Sequence, residues 1–491
     1  MAINDLSRIA GRGPADDRPA LITFSKGKEY QAFSYSELEQ KVRLVACNLR
    51  REGLETGSRV AVLGETSADT MIVHLGLLRA GCILVPINFK LPEEQQLRII
   101  AHADCEALVH SERLSETLPS FDGIHRNFET LFSTDIQSTD HHPTTDRAMI
   151  MYTSGSSGDP KGVPLTHKGY LWAMERFHFL KDVISNHNTI IAAPLFHMNG
   201  QFHVLSVLML GGTAVLLPDF SAEDFVTAAE TYEARRLTGV PTMFELVTRY
   251  ADERCLPPID CVESIGMGSS PFTPSLPDRL RRIFPQAKVS NGYGTTEIGP
   301  ATFGPHPDGL ETPPLSIGYP MDGVQTSLRG GKDSGEGELF IKTGMQTEGY
   351  LNNDTLTDLV FKDGWYATGD LMHSDKDGFF YFDGRTDDMF VSGGENIHPS
   401  AIEKLLSTHP SVTEAAIVPL DDPVKGSIPV AFVVGDIAPE DLKAFALQTG
   451  PAYAHPRFIE VLPALPLAGT NKVDKSTLKR RAQKLFGGIR P

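Results

Sequence analysis

Short apolar runs alternate with helical-period segments through the first part of the chain. Ser34 stands ahead of apolar positions that recur at helical spacing, which predicts a capped helix over 34–50. Val60-Ala-Val-Leu-Gly64 reads as a buried strand, 68–80 as a helix and Cys82-Ile-Leu-Val-Pro-Ile87 as another strand. The alternation continues through Ala148 to Tyr152, Ala214-Val-Leu-Leu217, a helix over 222–232 and the stretch 237–240. Strands alternating with helices predict an α/β fold with a largely parallel sheet. From 311 to 385 glycine, proline and short alternating strands take over, as in Gly337-Glu-Leu-Phe-Ile-Lys342 and Gly378-Phe-Phe-Tyr-Phe-Asp383. That texture predicts a small β-rich subdomain. A turn at Gly384-Arg-Thr-Asp-Asp388 then opens a compact α+β pattern. The turn places a domain boundary, with one domain over 1–384 and a second over 389–491. The polar stretch Thr134–Arg147 reads as a surface linker.

Composition narrows the function classes. The 491 residues suffice for more than one domain and a large apolar core. A net charge of −17 argues against nucleic acid or an anionic membrane as the main partner. The five cysteines (Cys47, Cys82, Cys105, Cys255, Cys261) form no C-x-x-C pair, so neither a disulfide framework nor a structural zinc site is expected. The start of the chain lacks a signal pattern and no apolar run spans a bilayer, giving a cytoplasmic location as the expectation.

Residues 149–163 carry the most chemistry. The apolar run ending at Tyr152 empties into Thr153-Ser-Gly-Ser-Ser-Gly-Asp-Pro-Lys-Gly162. Glycines let backbone N–H groups approach an anion, hydroxyls add donors and Lys161 adds charge, a set suited to a nucleotide polyphosphate. The spacing is not that of a Walker A loop. Neither a G-x-S-x-G elbow nor a complete dinucleotide fingerprint occurs.

Further segments follow in order: Pro194-Leu-Phe-His-Met-Asn-Gly200, Gly239-Val-Pro-Thr242, Gly268-Ser-Ser-Pro271, Asn291-Gly-Tyr-Gly-Thr-Thr-Glu297, Gly364-Trp-Tyr-Ala-Thr-Gly-Asp370, Gly384-Arg-Thr-Asp-Asp388, Ser392-Gly-Gly-Glu-Asn-Ile-His-Pro399 and Gly469-Thr-Asn-Lys472. The ordered set resembles the adenylate-forming superfamily of acyl-CoA synthetases, adenylation domains and luciferases, most of all bacterial benzoate-type acyl- and aryl-CoA ligases. The resemblance covers nearly the whole chain. It implies attack of a carboxylate on the α-phosphate of ATP, release of pyrophosphate, and displacement of AMP by the thiol of coenzyme A.

By the same resemblance, Thr153, Ser154, Gly155, Ser156, Ser157, Gly158 and Lys161 hold the β- and γ-phosphates. Gly268, Ser269 and Ser270 flank the adenine on one side and Asn291, Gly292 and Tyr293 on the other, with Gly294 and Thr295 also binding ATP. Glu297, with Thr153, is the Mg²⁺ ligand, and Thr296 donates to the α-phosphate or the substrate carboxylate. Asp370 takes the ribose diol, a role two side-by-side carboxylate acceptors suit, and Arg385 adds a donor. Lys472 is the catalytic lysine of adenylation; the family commonly has glycine before it, where this chain has Asn471. The resemblance also makes 385–388 a hinge, with Asp387 its hinge residue, and 389–491 a mobile α+β C-terminal domain. After rotation, Ser392, Gly393, Gly394 and Glu395 line the pantetheine tunnel, and Lys425, Tyr453, His455 and Arg457 are candidates for the nucleotide end of CoA.

His197 resembles the aromatic that lines and gates the acyl pocket; its spacing to His203 is not that of a zinc site. The other pocket candidates are Met198, Asn199, Gln201, Thr242, Met243, Gly266, Met267, Gly268 and Pro300, an apolar set with a few amides. The expected substrate is an aromatic or short-to-medium carboxylic acid. Loading of an acyl carrier protein in place of CoA is the alternative inside the family, and a non-catalytic nucleotide-binding homologue the alternative outside it. No nucleic acid and no membrane span are expected, and oligomerisation is left open.

Overall fold

The structure is a computed structural model, and it describes every residue except 1–3, 15–16, 134–144, 155–159, 271, 273, 332–334, 393–394, 453, 469–472 and 488–491. Two α/β sheets form its larger part. Among the described residues the first has seven strands in the order Lys288–Gly292, Ser264–Gly268, Arg236–Gly239, Asn188–Ile191, Thr213–Leu216, Pro19–Ser25, Lys28–Ser34. All its pairings are parallel except the hairpin Pro19–Ser25/Lys28–Ser34 at one edge. The second has six: Ile124–Asn127, Ala107–His110, Arg59–Leu63, Ile83–Pro86, Arg147–Ser154, Pro160–Thr166. Only its last pairing is antiparallel. Strands covered on both faces read as continuous apolar runs, which is why they stand out in the sequence.

Side-chain alternation divides the cores. Val60 and Val62 face a core shared by both sheets, whereas Ala61 and Leu63 face the opposite side. The shared core also receives Ile191 and Leu216 and the helices Tyr35–Arg51, Ala68–Arg79 and Met198–Met209. The first of these carries the expected cap: Ser34 accepts from the Glu37 N–H and Glu37 reaches back to the Ser34 N–H. On the far side of the seven-stranded sheet lies a second core holding Ile190, Leu237, Ile265 and Met267 under the helix Pro241–Arg254. That helix ends at Cys255, exposed and in the left-handed conformation at φ 50°.

The β-rich region is an antiparallel sheet of Gln325–Gly330, Glu336–Lys342, Trp365–Ser374, Phe361–Lys362 and Phe380–Arg385. Beyond Arg385 the strands Phe390–Ser392, Glu395–Ile397, Val412–Asp422, Gly426–Gly435 and Phe458–Val461 build a separate sheet with its own cores. Residues 386–389 connect the two sheets. The smaller unit touches the larger through Arg249, 3.8 Å from Glu414. Burial, with Glu245 adding to it, pushes the Glu414 carboxyl up to about 7 against the pull of Arg249 and Arg279.

One expectation changes shape. Pro160-Lys-Gly162 reads as loop, yet it opens the strand Pro160–Thr166, antiparallel to Arg147–Ser154. Val163 and Leu165 are buried and hold it there. The described strands on either side of 155–159 thus pair as the arms of a hairpin. No helix among the described residues is long and apolar enough to cross a membrane.

Candidate active site

The C-terminal ends of parallel strands are where open α/β sheets bind ligands. Here Gly239, Gly268 and Gly292 end neighbouring strands, and Gly268 lies opposite Gly292 in register. A Cβ on Gly268 would stand 2.8 Å from the Gly292 carbonyl oxygen, so the close approach requires glycine. Ser269 follows at φ 72°, a conformation uncommon for a residue with a side chain and concentrated at functional sites. Asn199 Nδ2 donates to Ser269 Oγ at 3.4 Å, and Asn291 Nδ2 to the Leu315 carbonyl at 3.2 Å. Thr295 Oγ1 is buried with no partner among the described residues. Thr296 and Pro300 are half-buried in the same turn.

Asp370 is set by a local irregularity. The register between Glu336–Lys342 and Trp365–Ser374 shifts opposite Thr368 and Gly369, and Gly369 sits at φ 71°. The bulge re-aims the strand, and Asp370 ends 4% exposed with its N–H on Thr368 Oγ1. Tyr293 donates its hydroxyl to Asp370 Oδ2 at 2.5 Å. Bonds to a charged acceptor contribute about 1.5–3 kcal/mol. Arg385 Nη1 lies 3.3 Å from the other oxygen and its Nε donates to Asp387 Oδ1 at 2.7 Å. Burial pushes the Asp370 carboxyl up to about 6 despite Tyr293 and Arg385. Burial lowers the Arg385 guanidinium, but Asp387, Asp370 and Asp388 more than offset it and hold it above its ordinary range. Arg385 thus joins the expected ribose carboxylate to the expected hinge residue.

Glu297 is 7% exposed, and Tyr350 donates its hydroxyl to Glu297 Oε1 at 2.7 Å. Lys161 Nζ stands 5.8 Å from the centre of the Tyr350 ring. The backbone explains this meeting: Leu351 N–H donates to the Gly162 carbonyl, Thr347 Oγ1 to the Pro164 carbonyl, and Thr347 N–H to the Glu297 carbonyl. Thr153 is opposite Lys161 in the hairpin. Buried Tyr366 bonds to Tyr350 and lies near Glu297 and Tyr293, so the phenols stand between the two carboxylates. The described residues hold no group of three or more acidic, His or Cys ligands. A single carboxylate with an uncommitted oxygen fits Mg²⁺ shared with substrate phosphates, not an all-protein cage.

The acid-pocket expectations divide by strand face. Gly266 and Gly268 lie on one face, whereas Met267 and Met243 are buried in the second core on the other. Gln201 is fully buried and turned to His74, whose ring burial pushes down to about 3. His197, half-buried, precedes the helix Met198–Met209, its ring 4.7 Å from that of Phe196. Met198, Asn199 and Thr242 are half-buried at the same end.

In the smaller unit, Ser392 is buried and paired in register with exposed Glu395. His455 Nε2 meets Arg457 Nη1 at 2.8 Å. Burial lowers the His455 ring, and Arg457, Lys443 and Lys425 lower it further, which brings these basic groups together. Gly155, Ser156, Ser157, Gly158, Gly393, Gly394, Tyr453 and Lys472 lie outside the described residues, as does the side chain of Ser154. Sequence reasoning missed Tyr350, Tyr366 and Lys443. A tyrosine after Thr347-Glu-Gly carries no local signal, because its place depends on pairing with a strand far away in the chain.

Family models match in two places: "AMP-binding enzyme" over residues 7–351 and "AMP-binding enzyme C-terminal domain" over 401–472. The chain is similar to feruloyl-CoA synthase of Amycolatopsis sp, 29% identical over 468 residues, covering 92% of this chain and 94% of the relative. It is also similar to 2-succinylbenzoate–CoA ligase of Bacillus cereus, 28% identical, covering 93% and 95%. Among solved structures, the anthranilate CoA ligase AuaEII in complex with anthranoyl-AMP has a TM-score of 0.85 at 22% identity, covering 99% of this chain and 98% of that one. O-succinylbenzoate Coenzyme A Synthetase from Bacillus subtilis, in complex with AMP, has a TM-score of 0.84 at 24% identity, covering 97% and 98%. The solved structures bear on fold, a large N-terminal and a smaller C-terminal domain.

Proposed function

We propose, because this chain belongs to the AMP-binding enzyme family, that it is an AMP-forming acid–CoA ligase. ATP and a carboxylic acid give an acyl-adenylate and pyrophosphate, and CoA then gives the thioester and AMP. The observation that carries this reading is the convergence of Lys161, Tyr350, Glu297, Tyr293, Asp370 and Arg385, from separate segments, into one connected polar site. Its family relatives named above are ligases that join aromatic acids to CoA, which supports an aromatic or short-to-medium acid here.

The first step brings a carboxylate against a polyanion, so positioning and charge neutralisation carry much of the rate. In this reading the hairpin with Thr153 and Lys161 holds the outer phosphates. Glu297 and Thr153 hold Mg²⁺, which when bound neutralises phosphate charge. Tyr350 fixes the rotamer of Glu297 by occupying one oxygen. Asp370 accepts from the ribose hydroxyls, with Tyr293 holding it from behind, and the strand ends at Gly268 and Gly292 flank the adenine. Lys472 pairs with the reacting oxygens. The proposed organisation is 1–384, a hinge at 385–388 and 389–491; the change of sheet after Arg385 supports it. Ser392, Glu395, Lys425, His455 and Arg457, joined by Lys443, are the proposed CoA groups.

A panel of carboxylic acids with ATP, Mg²⁺ and CoA, followed by release of AMP and pyrophosphate, tests the activity. Pyrophosphate release without a CoA-dependent product would favour a carrier protein as acceptor. No release with any acid would refute the ligase reading.

Two predictions arise here. Asp370 accepts from the ribose as a carboxylate, so protonation removes the contact. With its carboxyl titrating near 6, the KM for ATP is expected to rise about tenfold from pH 7 to pH 5. Asp370→Asn should raise KM and flatten that profile; an unchanged profile would refute the role. Asp387→Pro, by fixing φ at the link, is expected to slow thioester formation about tenfold more than adenylation. Equal slowing of both half-reactions, followed separately by rapid quench, would count against the hinge.

A further inference from the structure

Arg236 lies in the middle of the seven-stranded sheet, paired in register with Thr189 on one side and Ser264 on the other. It is 3% exposed. Leu237, beside it, faces the second core, so Arg236 faces the other side of the sheet, the side shared by Gly266 and Gly268. Its guanidinium extends along the strand to Gly266: a Cβ there would fall 2.6 Å from Arg236 Nη2. Gly266, an expected acid-pocket residue, is half-buried, and the buried guanidinium lies directly against it.

A buried charge is normally paired, because an uncompensated one is costly. Among the described residues Arg236 has one hydrogen-bond partner, Ser264 Oγ, 2.5 Å from Nη1. No carboxylate of the described residues lies within 4 Å of it, and its Nε is buried without a partner. Glu263, nearby in sequence, is taken by Arg235 at 3.1 Å. The other groups around the guanidinium are neutral. Thr189 Oγ1 is itself buried and unpaired. Burial, with Arg236 adding to it, pushes the ring of His203 down to about 3, so that ring carries no charge at neutral pH. Burial lowers Arg236 only to about 10, and the guanidinium stays charged.

A forked cation that is dry, fixed and without a counter-ion matches a carboxylate, which accepts two parallel N–H bonds. We propose that Arg236 recognises a second carboxylate on the acid substrate, so that this chain activates dicarboxylic acids. The proposal rests on the ligase reading and narrows its substrate class. Gly266 stands two residues before Gly268, about 7 Å along the strand. The two carboxylates of the substrate are therefore a few bonds apart, as in a short aliphatic diacid or a benzenedicarboxylic acid.

The test compares diacids of three to six carbons and the three benzenedicarboxylic acids, each beside its mono-carboxamide, by kcat/KM for acid-dependent ATP–pyrophosphate exchange. The best diacid is expected to exceed its neutral mono-amide by about 10²-fold or more. Arg236→Gln is expected to remove that preference while the rate with the mono-amide stays within about threefold of the parent's. Gly266→Ala, which displaces the guanidinium without changing charge, should lower the diacid rate more than the mono-amide rate. Should either variant fail to fold, the preference of the unsubstituted chain still decides the matter. Equal or better rates with the neutral acids would overturn the proposal and leave the ligase reading standing. Absence of exchange with every acid, monocarboxylic ones included, would overturn both.

Discussion

Replacement of Lys472 by alanine is expected to lower acyl-adenylate formation about 10³-fold and to leave thioester formation from pre-made adenylate within about threefold. The asymmetry is the substance of the prediction. In the first half-reaction a cation must stand between two approaching anions, the carboxylate and the α-phosphate. In the second the adenylate already exists, and in the proposed reading the smaller domain presents Ser392 and Glu395 in place of the lysine. Residues 469–472 are spanned by fixed points: Leu467 bridges Val473, and the Asp474 N–H donates to the Pro466 carbonyl at 2.7 Å. Asp474 caps the helix Lys475–Phe486, and bonds from Ser476 and Thr477 hold its carboxyl at about 2. Truncating Lys472 leaves those anchors intact, so lost activity would not reflect lost structure. Pyrophosphate exchange and a thiol-capture assay with synthetic adenylate separate the two steps; equal losses would refute the assignment.

Glu297→Gln carries the second large effect, a loss of about 10²–10³-fold in kcat/KM for ATP, or roughly 3–4 kcal/mol of transition-state stabilisation. The amide keeps the shape and can still accept from Tyr350, so folding is preserved while the charge is removed. Half-saturation by Mg²⁺ should shift to higher concentration. Tyr350→Phe should produce a milder loss with the same shift, because it frees the carboxylate to rotate without neutralising it. An unchanged Mg²⁺ dependence in Glu297→Gln would exclude Glu297 as the metal ligand.

The strands and helices of the larger domain were legible because each carries its burial pattern locally. Val60 to Leu63 is apolar throughout since both its faces are covered, and Ser34 and Glu37 form a cap within one turn. The connected site was legible only in part. Asp370, Glu297 and Tyr293 could be singled out by their motifs, but Tyr350 could not, nor could the bond from Tyr293 to Asp370. Tyr350 reaches Glu297 across 53 positions, and Tyr293 reaches Asp370 across 77. Strand faces were equally invisible: Gly266 and Met267 are neighbours in sequence and lie on opposite sides of the sheet. Arg236 showed nothing in sequence, because a missing counter-ion is a property of the surroundings.

The left-handed residue that ends the helix Pro241–Arg254 has a practical consequence. Cys255 is exposed, while burial pushes the thiols of Cys82 and Cys105 up to about 12 and raises that of Cys261. Cys47 is only partly exposed, so a maleimide dye at neutral pH is expected to react first at Cys255. The same helix carries Arg249, the partner of Glu414 across the two domains. A fluorophore placed there would report the proposed departure and return of the smaller domain during turnover, with no cysteine added or removed.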